Sequence, residues 1–90
     1  MITRQVTIAS AVGLHARPAA LFVEQVKATG HAITIGKPGG KTVKASSVLG
    51  VLSLGAKHGE TVVLAAEDPA AGAALDRLAA FLEIDHDSEA

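Results

Sequence analysis

Apolar and polar positions alternate along residues 2–9, ITRQVTIA, with Ile2, Val6 and Ile8 on one side and Thr3, Gln5 and Thr7 on the other. A period of two with one apolar side predicts a strand with one buried face. After a turn at Gly13 the period lengthens: Ala19, Phe22, Val23 and Val26 recur at i, i+3, i+4 and i+7. That is an amphipathic helix, and Gly30 stops it. Alternation returns in HAITIGK, PGGK turns the chain, and KTVK runs back, which predicts a hairpin. SSVLGVLSLG follows as a short helix with a serine cap, weakened by Gly50 and ended by Gly55. ETVVLAAE is a fourth strand. DPAAGAALDRLAAFL then opens a third helix with Asp68 as cap and Pro69 at the first helical position, its buried stripe being Ala71, Leu75, Leu78 and Leu82.

The resulting order, β-α-β-β-α-β-α, has short strands and helices long enough to cover one face only. It predicts an α+β fold, a two-layer open-faced β-sandwich in which three helices cover one face of a four-stranded antiparallel sheet. Residues 1–84 form the single domain, and the acidic, aperiodic stretch 85–90 is expected to be a frayed tail.

Composition narrows the chemistry. The chain is 49% apolar, yet its only aromatic residues are Phe22 and Phe81, so Ala, Val, Leu and Ile must build the core. Absence of cysteine excludes disulfides and thiolate metal sites. The first ten residues lack the basic end and apolar run of a signal peptide, and no apolar stretch is long enough to span a membrane, so no membrane insertion is expected and a cytoplasmic location follows by default. A net charge of −1, with no Trp or Tyr for bases to stack on, argues against nucleic-acid binding. Lys37, Lys41 and Lys44 cluster in sequence, whereas Glu83, Asp85, Asp87 and Glu89 load the tail.

IGKPGGKT looks at first like a phosphate-binding loop. The Walker spacing places Ile35 where a glycine is required, and the segment after Lys41 has strand character where a helix should start. A lysine-flanked hairpin turn is the better reading. Of four histidines, His31, His58 and His86 fall at a strand start, in a loop and in the tail, without metal-ligand spacing, so each is expected to be solvated and no metal is predicted.

His15 stands apart. In SAVGLHARPAA it directly precedes the first helix, where unpaired backbone N–H groups and the helix dipole favour an anion. Pro18 costs no hydrogen bond in a first turn, Gly13 allows the chain to turn sharply, and the Arg17 guanidinium has the fork that suits phosphate. Neutral imidazole is a competent nucleophile near neutral pH. A phosphoryl group on His15 would lie over the amides of Ala16, Arg17 and Pro18's turn, stabilised but still transferable. On spacing alone this reading and that of a plain histidine cap beside a surface arginine stand even.

GLHARPAA resembles the active-site motif of the histidine-containing phosphocarrier (HPr) family of the bacterial phosphoenolpyruvate-dependent sugar phosphotransferase system. SSVLGVLSLG is similar to the family's second motif, and the likeness covers about residues 2–83. The resemblance implies a carrier without cofactor that is not itself an enzyme. His15 would be phosphorylated on Nδ1 by enzyme I and would pass the group to EIIA domains during sugar uptake, with Arg17 assisting. It also implies a regulatory phosphorylation site at Ser47, served by a serine kinase or phosphorylase and read by transcriptional regulators. The family usually has a lysine where this chain has Ser46, which makes Ser46 a competing position. Leu21, Val48, Leu49 and Leu52 match partner-docking positions, although their apolar spacing also suits a core. The alternatives are a phosphohistidine carrier in a nitrogen-related regulatory chain and a regulatory binding module controlled at Ser47. A monomer is the simplest expectation.

Overall fold

The computed structural model describes residues 1–9 and 16–83. Its sheet runs in the order β1-β4-β2-β3, with β1 at Ile2–Thr7, β2 at Ile33–Gly36, β3 at Thr42–Lys44 and β4 at Thr61–Ala66. All three pairings are antiparallel. The last strand in sequence is thus central, paired with β1 from Ile2↔Ala66 to Thr7↔Thr61 and with β2 from Ile33↔Ala66 to Gly36↔Val63. The alternation read from the sequence sorts the faces as expected. Val6, Ile8, Ile33, Ile35, Val62 and Leu64 point into the core, while Thr3, Gln5 and Thr7 lie open to water. Thr42 opens a strand, which disposes of the phosphate loop.

Helices α1 (Ala16–Thr29), α2 (Val48–Ser53) and α3 (Gly72–Leu82) cover the buried face, with α1 packed against both of the others. The stripe Ala19, Phe22, Val23 and Val26 is buried, and so is Ala71, Leu75, Leu78 and Leu82. Phe22 and Phe81 meet between α1 and α3 with ring centroids 6.3 Å apart. At the end of α1 the Thr29 hydroxyl donates to the Val26 carbonyl at 2.7 Å, and Gly30 takes φ +72°, the left-handed conformation that turns the chain off the helix axis.

One local reading is corrected. Asp68 caps and Pro69 leads, but Pro69–Ala71 forms a tight 3-10 turn and the α-helix proper begins at Gly72. The cap explains it: Asp68 Oδ1 accepts from Ala70 N–H at 2.8 Å and its carbonyl accepts from Ala71 N–H at 2.9 Å, an i to i+3 bond that tightens the first turn. Position 4 also shares the buried-side parity of β1. Arg4 escapes burial by reaching over α3, where Nε donates to Asp76 Oδ1 at 2.6 Å and Nη1 donates to the Thr3 carbonyl at 2.8 Å. The Gly13 turn, His86 and the stretch 85–90 lie outside the described residues.

Candidate functional site

The strands divide the molecule into two ends. At one, β1 finishes at Thr7 beside the start of β4, β2 finishes at Gly36, and α1 begins; at the other, α1 ends at Thr29 and β2 starts. His15 lies outside the described residues, between the end of β1 and the start of α1. The helix start that follows it has the expected form. Ala16 is the first residue of α1, Arg17 is exposed, and Pro18 is fully buried in the first turn. No acidic side chain occupies that turn, so its amides and the Arg17 guanidinium are unopposed by a carboxylate of the same turn.

The second motif splits by burial. Val51 is completely buried and forms the core face of α2, a residue that spacing did not single out. Leu49 is 81% exposed and Val48 37%, which makes them, with Met1, the exposed large apolar residues among those described. Leu52 and Leu21 are half-buried, Leu52 against the core and Leu21 on the neighbouring α1. The structure therefore places Val48 and Leu49 as surface, and the core reading of these two is set aside.

Ser47 is the N-cap of α2, with extended backbone and a half-buried side chain whose Oγ accepts from Gly50 N–H at 3.1 Å. Ser46 is exposed and borders an open cavity of about 680 Å³ at the far end of the sheet, lined also by Lys44, His31 and Asp68. His31 is not simply solvated, since it is half-buried with Nδ1 3.7 Å from Asp68 Oδ2. The lysines divide as well. Lys37 and Lys41 flank the hairpin turn at the end where α1 begins, whereas Lys44 ends β3 at the other. Lys37 Nζ lies 3.0 Å from Glu60 Oε2, and Glu60 Oε1 accepts from Lys57 N–H at 2.9 Å. The hydrogen bond from Lys37, then that from the Lys57 backbone, hold the Glu60 carboxyl below its ordinary value. Sequence spacing gave no sign of this clasp, because its members come from separate turns. Among the described residues no three His, Asp or Glu side chains come together to hold a metal ion.

Comparison with known proteins adds a family to this geometry. Residues 2–83 match the family model described as "PTS HPr component phosphorylation site". The chain is 52% identical over 79 residues to the phosphocarrier protein HPr of Streptomyces coelicolor, covering 88% of this chain and 85% of that one. It is 40% identical over 83 residues to the HPr-like protein Crh of Halalkalibacterium halodurans, covering 92% and 98% of the two chains. The crystal structure of an HPr from Bacillus anthracis superposes with a TM-score of 0.82 at 38% identity, over 90% of this chain and 95% of that one.

Proposed function

Because the chain belongs to the HPr family of phosphocarriers of the phosphotransferase system, we propose that His15 is its phosphoryl acceptor, charged by enzyme I in the cytoplasm and discharged to EIIA domains. The observation that carries this is the start of α1, where an exposed Arg17 stands in a turn free of acidic side chains, immediately after His15. Imidazole Nδ1 attacks phosphorus, the bond to the donor breaks, and the phosphoramidate is held by the backbone N–H groups of Ala16 and Arg17 and by the Arg17 guanidinium. Pro18, buried and with fixed φ, sets the direction in which that turn faces. Neither partner step needs an acid-base pair on this chain, because catalysis belongs to the partners. Leu21, Val48, Leu49 and Leu52 supply an apolar docking patch suited to a short-lived, small-area complex.

Incubation with phosphoenolpyruvate and enzyme I should add one phosphoryl group by mass, labile to acid, and His15→Ala protein should take up none while keeping its fold. An acid-stable label, or one that persists in His15→Ala, overturns the reading. The position of Ser47 favours a second, compatible role. A phosphate there would meet the free amides of α2 and leave the helix intact, while its charge beside Leu49 would weaken docking.

A further inference from the structure

At the end where β2 starts, the sheet face that the helices leave uncovered carries the open cavity of about 680 Å³. Strand register says what lines it. Thr34 of β2 lies across from Ala65 of β4 on one side and from Lys44 of β3 on the other. One alternation further out, Ala32 precedes β2 and Glu67 follows β4, and both border the same cavity. Ala32, Thr34 and Ala65 make a floor of small, uncharged side chains, with the Thr34 hydroxyl turned to the Ala65 carbonyl at 3.5 Å. Lys44 stands on the β3 side of that floor and Glu67 on the β4 side, both exposed. Neither side chain makes an ion pair or hydrogen bond among the described residues. Their strands are two spacings apart, about 10 Å, so the two charges face each other across the floor without pairing. His31 and Asp68 border one end, Nδ1 to Oδ2 at 3.7 Å, and Asp68 Oδ1 already accepts from Ala70 N–H at 2.8 Å. Glu67 is therefore the free carboxylate of the cavity and Lys44 its free cation.

We propose that this cavity binds a small zwitterion, a free amino acid with an aliphatic side chain, its carboxylate on Lys44 and its ammonium on Glu67. The inference is independent of the role of His15. The lining selects the class. An anion alone would meet Lys44 but also Glu67 and Asp68, and a cation alone would be repelled by Lys44. A molecule with one charge of each sign leaves neither side chain without a partner. No aromatic ring borders the cavity, so a base has nothing to stack on. Ala32 and Ala65, with Met1 at the border, supply the apolar surface that a branched aliphatic side chain covers. The volume falls within the range of about 300–1,000 Å³ that holds small ligands. Because the site is open, each ion pair adds only roughly two- to fivefold in affinity, and the dissociation constant is expected to be about millimolar.

The test is a titration of isotope-labelled protein with L-leucine, followed by the amide resonances of residues 30–34, 44–46 and 65–68 in nuclear magnetic resonance spectra. These should shift and saturate with a dissociation constant of about millimolar. Isoamylamine, which lacks the carboxylate, and 4-methylpentanoate, which lacks the ammonium, should each bind at least about threefold more weakly. Lys44→Gln and Glu67→Gln should each weaken leucine binding roughly two- to fivefold, whereas Glu24→Gln, on the exposed side of α1, should leave it unchanged. Both site variants change exposed side chains, so their unliganded spectra should match wild type away from the substituted residue. Absence of any shift up to about 50 mM leucine overturns the proposal. So does equal binding of leucine and its two singly charged analogues, or wild-type affinity in either glutamine variant. Shifts centred on the start of α1 instead would put the amino acid at the helix start and equally overturn the cavity as its site.

Discussion

Helix α2 has a buried face and an exposed one, and a pair of truncations tests whether their duties differ. Val51 is wholly buried, so Val51→Ala removes about two methyl groups from a packed site. At about 0.8 kcal/mol per buried carbon, plus the cavity left behind, the loss is roughly 2–3 kcal/mol. For a domain of this size that lowers the melting temperature on the order of 10–20 °C. Leu49 is 81% exposed, so Leu49→Ala should change stability by less than about 0.5 kcal/mol. On the docking role proposed for Leu49, the cost falls on transfer. Losing an apolar contact at the centre of a small interface is worth about 1–2 kcal/mol, or roughly five- to thirtyfold in transfer at sub-saturating partner. Calorimetric melting and phosphoryl transfer, run on both variants, give the crossed pattern: one protein less stable yet active below its melting point, the other stable yet slow. If Leu49→Ala melts as low as Val51→Ala, or transfers at the wild-type rate, the division of α2 is wrong.

Gly36→Ala should destabilise by about 1–3 kcal/mol, since a Cβ there would stand 2.6 Å from the Lys41 carbonyl oxygen and 2.8 Å from Thr42 Cγ2; an unchanged melting temperature would contradict it. Ser47→Ala loses the cap to Gly50 and about 1 kcal/mol by the same assay, whereas Ser47→Asp, still a good cap, should melt near wild type but accept phosphate more slowly at low salt. Glu60 is held below its ordinary pKa of 4.5, so it stabilises the fold above that value and the contribution disappears as pH falls through the lowered one. Melts of wild type and Glu60→Gln should therefore differ by a constant amount from neutral pH down to about 4.5 and converge below it; a gap that persists well into acid counts against the clasp.

What the sequence made legible was whatever rests on local periodicity. Four helical positions from Ala19 to Val26, and the alternation in β1 and β4, carry their burial in their spacing; Gly30 signals its turn by lacking a Cβ, and Ser47 its cap by its hydroxyl. Contacts between distant segments left no such trace. Arg4 breaks the apolar side of its strand and makes sense only once α3 brings Asp76 beside it. The Lys37–Glu60 and His31–Asp68 pairs are set by strand order, which no short window reports. Val48, Leu49, Val51 and Leu52 are four similar side chains in a helix of six residues, too short for periodicity to tell core from surface. For the site, the sequence shows Pro18 at a helix start because proline fits a first turn, and Arg17 stands exposed in the same turn.

The position of β4 bears on how the chain is made. The strand synthesised last lies at the centre of the sheet and is the hydrogen-bonded neighbour of both β1 and β2. While the ribosome is still working, β1 has no strand to pair with, and only the β2–β3 hairpin can close from residues already released. At roughly 5–20 residues per second, the apolar side of β1 waits seconds for its partner. Folding is therefore gated by the release of residues 61–66 rather than by any earlier element, and a nascent chain halted before Thr61 holds a hairpin and helices with no sheet to cover.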